Sequence, residues 1–211
     1  MLQTLLDFIF PRRSLTGEEG EFVTADECLS LKSFSVIEEV HVLQGRGIHY
    51  LDAIRAGSSY HHAPLLKKAI HTFKFKRIPG LADHLASIIM SAPHPEVPKG
   101  AVLCPVPLHW SRRFQRGFNQ AELLAEKVSV HTGIPISSLL SRVRATGFQS
   151  HRKRAERLIS LKDAFRCREK SPSFVVLIDD LATTGATLDA CAKVLKERGA
   201  SHVEAWVVSH G

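Results

Sequence analysis

The run Ser173-Phe-Val-Val-Leu-Ile178 constrains this chain more than any other segment. It has strand length and is apolar at successive rather than alternate positions, so both faces of the strand must be covered. Two acids, Asp179 and Asp180, end it, and a short loop of small and hydroxyl residues follows. Residues 186–198 then carry Leu188, Cys191 and Leu195 on one helical face, with Gly199 placed to stop the helix. Ala101-Val-Leu-Cys-Pro105 is a second uniform run, followed by a helix over 119–131, and His202 to Val208 reads as a last strand. Such strands alternating with helices predict an α/β fold: a doubly wound, mainly parallel sheet with helices on both faces.

Upstream the pattern is weaker. Helices are predicted over 63–75 and 80–90, and the proline-rich connector Ser91 to Pro98 separates them from the first uniform run. One strand is predicted within 49–58, weakened by Gly57, and another over 136–140. Leu2, Leu5, Leu6, Phe8 and Ile9 suit a short helix stopped by Pro11. Residues 11–45 lack a clear period and are expected to form an irregular appendage. The expected division is therefore 1–45 as a small N-terminal hood and 46–211 as the α/β domain.

Composition narrows the function classes. A chain of 211 residues with 44% hydrophobic content can bury a sizeable core without staples. The four cysteines (Cys28, Cys104, Cys167, Cys191) are dispersed with no C-x-x-C pair, so neither a disulfide framework nor a zinc module is expected. The longest apolar stretch near the start, 2–10, is too short to span a bilayer and contains Asp7; no membrane span is expected, and the expected compartment is cytoplasmic. The formal charge of +7 suggests a polyanionic partner: nucleotide, phosphosugar or nucleic acid. A solvated basic face would give the same excess. The twelve histidines form no metal motif, and His61, His62 and His109 read as surface or capping residues.

The segment Val175 to Thr187 carries the chemistry. Ligands of open α/β sheets bind at the carboxyl edge, where this strand ends. In Ala182-Thr183-Thr184-Gly185-Ala186-Thr187, small residues let backbone amides approach a phosphate, and Gly185 permits a turn that a side chain would resist. Thr183, Thr184 and Thr187 add hydroxyl donors. Asp179 and Asp180 would repel a phosphate but suit neutral ribose hydroxyls.

This segment resembles the phosphoribosyl-diphosphate (PRPP) signature of type I phosphoribosyltransferases: four apolar residues, two acids and a Thr-Thr-Gly-x-Thr loop. The resemblance implies that Ala182 to Thr187 hold the 5′-phosphate and that Asp179 and Asp180 hold the ribose. Cys104-Pro-Val-Pro-Leu-His109, Arg113-Phe-Gln-Arg-Gly-Phe-Asn-Gln-Ala-Glu-Leu-Leu-Ala125 and Arg142-Val-Arg-Ala-Thr-Gly-Phe-Gln149 are similar to the competence-protein ComF (ComF/GntX) branch. That likeness is strong over 101–211 and continues back to His49, with His61 to Phe75 as the family's basic helix. Relatives usually begin with a cysteine-rich zinc module. Phe10-Pro-Arg-Arg13 resembles its lead-in, and with only Cys28 left the segment 11–40 reads as a zinc-less remnant.

The resemblance further implies a diphosphate with Mg²⁺ on the turn after the first core strand. The candidates there are the amides of Val106, Leu108 and His109 and the guanidinium groups of Arg112, Arg113 and Arg116. Asn119 and Gln120 are candidate caps of the following helix. A mobile loop closing over the ligand falls within 142–157, with Arg142, Arg144 and Gln149 as its contacts. Two function classes stay open. One is a phosphoribosyl transferase releasing diphosphate. The other is a non-catalytic module binding PRPP or single-stranded DNA, with Arg154, Arg157 and Phe148 as further candidates.

Overall fold

The structure, a computed structural model, describes residues 13–31, 34–75, 78, 80–144, 161 and 163–211. The expected helix over 2–9 and the basic stretch 145–160, with Phe148, Gln149, Arg154 and Arg157, lie outside the described residues. The elements in chain order are α1 (Ala25–Leu31), β1 (Val36–Glu39), α2 (Val40–Gly45), β2 (Ala53–Ser59), α3 (Pro64–Phe75), α4 (Leu81–Ile89), β3 (Val102–Pro105), α5 (Trp110–Arg116), α6 (Gln120–Thr132), β4 (Leu140–Arg142), β5 (Phe165–Cys167), β6 (Phe174–Ala182), α7 (Ala186–Lys196) and β7 (His202–His210).

Five strands form one sheet in the order β1-β2-β7-β6-β3. Four of them run parallel, and β1 pairs antiparallel with β2 at one edge. The uniform apolar run of β6 is explained by two cores. Val175 and Leu177 pack with Leu188, Cys191 and Leu195 of α7 on one face. Val176 and Ile178 pack with Leu66 and Phe73 of α3, Leu85 of α4 and Leu124 of α6 on the other. Each fully buried Val, Leu or Ile stabilises by roughly 1.5–3 kcal/mol, so a strand covered twice is the best-anchored place from which to project a site.

Gly57 does not weaken β2. A Cβ there would lie 1.8 Å from the Ile88 carbonyl oxygen, so glycine lets the end of α4 rest directly on the strand.

Three expectations are corrected. The described residues within 11–45 are not irregular, since they hold α1, β1 and α2, and β1 is a strand of the main sheet. Helix α1 is opened by a reciprocal cap: the Glu27 amide donates to Thr24 Oγ1 (3.2 Å) and the Thr24 amide donates to Glu27 Oε2 (2.9 Å). The strand expected over 136–140 shrinks to a single bridge of Ile136 with Leu103. Pro135 has no amide to extend the ladder and offers only its carbonyl to the Leu103 N–H (2.9 Å). The chain then turns away, and Leu140 to Arg142 pair with β5 in a separate two-stranded sheet. Lastly, residues 110–116, for which no element is expected, form the seven-residue helix α5.

Candidate functional site

Strands β3 and β6 end side by side, and their two turns border a cavity of about 170 Å³. Lys74, Arg116, Asn119, Gln120, Arg142, Asp179, Asp180, Thr183 and Thr187 are among its lining residues.

Strand β6 runs on through both acids to Ala182. Strand alternation sends neighbouring side chains to opposite faces, so Asp179 and Asp180 enter the cavity from two sides. Asp180 is buried and meets the Lys74 ammonium from the end of α3 at 2.7 Å. Asp179 accepts from the Asp180 amide at 2.9 Å. Burial, reinforced by the neighbouring Asp180 charge, pushes the Asp179 carboxyl up to about 7, against the pull of Lys74 and Arg116.

The loop after β6 leads into α7 through Gly185, whose φ of +77° lies in the left-handed region. The Ala186 amide donates to Thr184 Oγ1 (3.4 Å) and the Asp189 amide donates to the Gly185 carbonyl (2.9 Å). Asp189 in turn anchors the first turn of α7: its Oδ1 accepts from the amides of His49 (3.0 Å), Tyr50 (2.6 Å) and Leu51 (3.0 Å). The start of an eleven-residue helix is thus fixed beside the cavity, with Thr183 and Thr187 on its wall. Such an end offers amides and partial positive charge to an anion.

The turn after β3 works differently. Val106 lines the cavity, but its amide donates to the Ile178 carbonyl (3.0 Å), so the backbone donor expected there is taken by the sheet. The Val106 carbonyl accepts from Asn119 Nδ2 (3.2 Å), while Asn119 Oδ1 caps α6 by accepting from the Ala121 amide (3.2 Å). Leu108 reaches the cavity wall. His109 acts through its buried ring, which caps α5 by accepting from the Ser111 amide (3.4 Å).

Among the expected arginines the structure discriminates. Arg116 is buried on the cavity wall, donates to Gln120 Oε1 (3.1 Å) and stacks over Phe75 at 5.2 Å. Arg113 pairs with Glu122 (3.0 Å) and is not among the residues lining the cavity. The Arg112 side chain lies outside what the structure describes. Arg142, expected in a mobile loop, ends β4 and reaches the wall, its guanidinium 5.2 Å over Phe165. Burial pulls that guanidinium below its ordinary pKa, against the attraction of Asp179. Arg144 is exposed and not among the residues lining the cavity.

Two residues were missed by the sequence reading. Lys74 carries no local motif, and its role follows only from where α3 ends. Gln120, considered there as a cap, lines the cavity and is 1% exposed, with its Nε2 on no protein acceptor. Among the described residues no three His, Cys, Asp or Glu groups converge to hold a metal ion. Among the described residues two carboxylates line the cavity; a Mg²⁺ ion there would take its remaining ligands from phosphate oxygens and water. No helix among the described residues is long and apolar enough to cross a membrane.

No protein-family model matches the chain. The DNA utilization protein YhgH of Salmonella typhi is 35% identical over 153 residues, covering 69% of this chain and 67% of its own. The competence protein F of Haemophilus influenzae is 35% identical over 109 residues (49% of this chain, 48% of its own), and the competence protein ComFC of Bacillus subtilis 36% over 145 (67% and 58%). A solved structure of an allosteric regulatory enzyme of purine biosynthesis aligns with 60% of this chain and 25% of its own at 21% identity, with a TM-score of 0.37, too slight a likeness to argue from. At this identity and coverage the chain belongs to the family of these relatives, the ComF family of competence and DNA utilization proteins.

Proposed function

We propose that the cavity binds PRPP with Mg²⁺ and that the protein is a phosphoribosyltransferase-like member of its family. The observation that carries this reading is the pairing of two carboxylates with three cations around a cavity bounded by a helix N-terminus. The monoester of PRPP fits the loop Ala182 to Thr187, with Gly185 and Ala186 at the start of α7. Ribose hydroxyls donate to Asp179 and Asp180, displacing Lys74 from Asp180. The diphosphate fits against Leu108, Arg116, Gln120 and Arg142.

In a transfer, the C1′–O bond to diphosphate breaks, its electron pair leaves with the diphosphate, and an acceptor nucleophile bonds to C1′. Arg116 and Arg142 stabilise charge growing on the leaving group, and the two carboxylates favour positive charge on the ring. Bound Mg²⁺ supplies further charge neutralisation on the diphosphate.

Calorimetry with PRPP and Mg²⁺ tests this. Binding by the wild type that is lost in Asp179→Ala/Asp180→Ala supports the reading. Equal binding, or none by either protein, refutes it. Diphosphate release during incubation with PRPP and a panel of bases and amines separates a transferase from a binding protein.

A second reading rests on α5. Trp110 and Phe114, one helical turn apart, are 74% and 86% exposed. Two aromatic planes on a helix that also holds Arg112, Arg113 and Arg116 and no acid suit stacked bases of single-stranded DNA. Titration of labelled single-stranded DNA at two salt concentrations checks it: affinity that falls with salt and with Trp110→Ala/Phe114→Ala supports it, and no binding at low salt removes it.

A further inference from the structure

Arg46 follows α2, outside every motif the sequence displays. Its guanidinium bonds three separate elements. Nη1 donates to both carboxylate oxygens of Glu38 on β1 and lies 3.1 Å from Nε2 of His210, near the chain's end. Nη2 donates to the Thr183 carbonyl oxygen at 3.1 Å. The same corner is tied by backbone bonds: the Gly211 amide donates to the Ala182 carbonyl (3.0 Å), and the Tyr60 amide to the His210 carbonyl (2.7 Å).

The bond to Thr183 has a directional consequence. In a planar trans peptide the C=O and the following N–H point in opposite directions. Holding the Thr183 carbonyl towards Arg46 therefore aims the Thr184 N–H away from Arg46. A flip of this one peptide would turn a donor into an acceptor facing a dianion. The guanidinium is a rigid planar fork whose Nη1 is held by Glu38 and His210 while Nη2 reaches Thr183, so the restraint is one of orientation as well as charge. A lysine at 46 would keep the charge and lose the fork.

We infer that Arg46, oriented by Glu38, is a positioning residue that sets the Thr183–Thr184 peptide for 5′-phosphate recognition by the loop after β6. This rests on the phosphate reading given above. It goes beyond that reading by making the N-terminal segment, through β1 and α2, a working part of the phosphate site.

The test uses two fragments of the proposed ligand. Ribose 5-phosphate reports the loop after β6, and inorganic diphosphate with Mg²⁺ reports the turn after β3. Each is titrated calorimetrically into the full-length wild type, Arg46→Gln, Arg46→Lys and Glu38→Gln. The expected result is a loss of about 10- to 100-fold for ribose 5-phosphate in Arg46→Gln, the range for a hydrogen bond to a charged group, with diphosphate affinity kept within about twofold. Arg46→Lys should fail to restore it, and Glu38→Gln should show the same selectivity with a smaller loss.

Unchanged ribose 5-phosphate affinity in Arg46→Gln overturns the inference and leaves the PRPP reading standing. So does full rescue by Arg46→Lys, because charge alone would then suffice. Equal weakening of both ligands also overturns it. If Arg46→Gln does not fold, Glu38→Gln decides by the same selectivity. A wild type that binds neither fragment overturns this inference and the reading beneath it together.

Discussion

The two turns that border the cavity solve the same problem with different material. After β6 the chain enters a helix at once, through a left-handed Gly185, and offers backbone amides and threonine hydroxyls. After β3 the backbone is largely committed. The Val106 amide is given to β6, its carbonyl to Asn119, and Pro105 and Pro107 have no amide to give. That side of the cavity is equipped instead with side chains: Arg116, Gln120 and, from β4, Arg142. A backbone cradle selects a compact anion by shape and is hard to alter by substituting side chains. A side-chain wall selects by charge and is open to it.

The sharpest way to break this comparison is Gly185→Val. A β-branched residue at φ +77° strains the backbone, and losing two amide bonds to a charged group should cost ribose 5-phosphate about 100-fold or more in affinity, measured calorimetrically. Retained affinity would mean that the backbone is not the receptor. Arg116→Ala should do the reverse, weakening diphosphate binding by about 10- to 100-fold while sparing ribose 5-phosphate.

Asn119→Ala removes both the α6 cap and the donor to the Val106 carbonyl. It should lower stability by about 1–2 kcal/mol in urea unfolding and loosen only the β3 side. Asp179 sits between the two turns, and its raised pKa sets a sign. The unfolded carboxyl ionises near 4. The folded protein therefore loses stability as pH rises from there through about 7. Asp179→Asn should raise the melting temperature at pH 8, by about 2–4 °C for each kcal/mol relieved, and the gain should fade towards pH 4. Smallest is Thr183→Val. If amides rather than hydroxyls do the holding, ribose 5-phosphate affinity should fall by no more than about fivefold.

The same contrast explains what the sequence made legible. The loop after β6 is one continuous segment in which strand, acids, turn and helix follow within a few residues, so local chemistry alone identifies it. The parallel sheet was likewise readable, because residues buried on both faces leave uniform apolar runs. The groups that brace that continuous segment come from distant pieces. Lys74 reaches Asp180 across 106 positions and Arg46 reaches Thr183 across 137, and neither carries a local sign of its partner. Helix α5 is too short for a period to register. Thr24-Ala-Asp-Glu27 does carry a capping-box pattern, the one signal that could have revealed α1 in a stretch read as irregular.

The contact at Gly57 bears on how this molecule can respond to what it binds. With the Ile88 carbonyl set against the strand where a side chain would stand, β2 and α4 have no layer between them to shear across. That direct seating argues for β2 and α4 moving together, and hydrogen exchange should find α4 among the last amides to trade their protons.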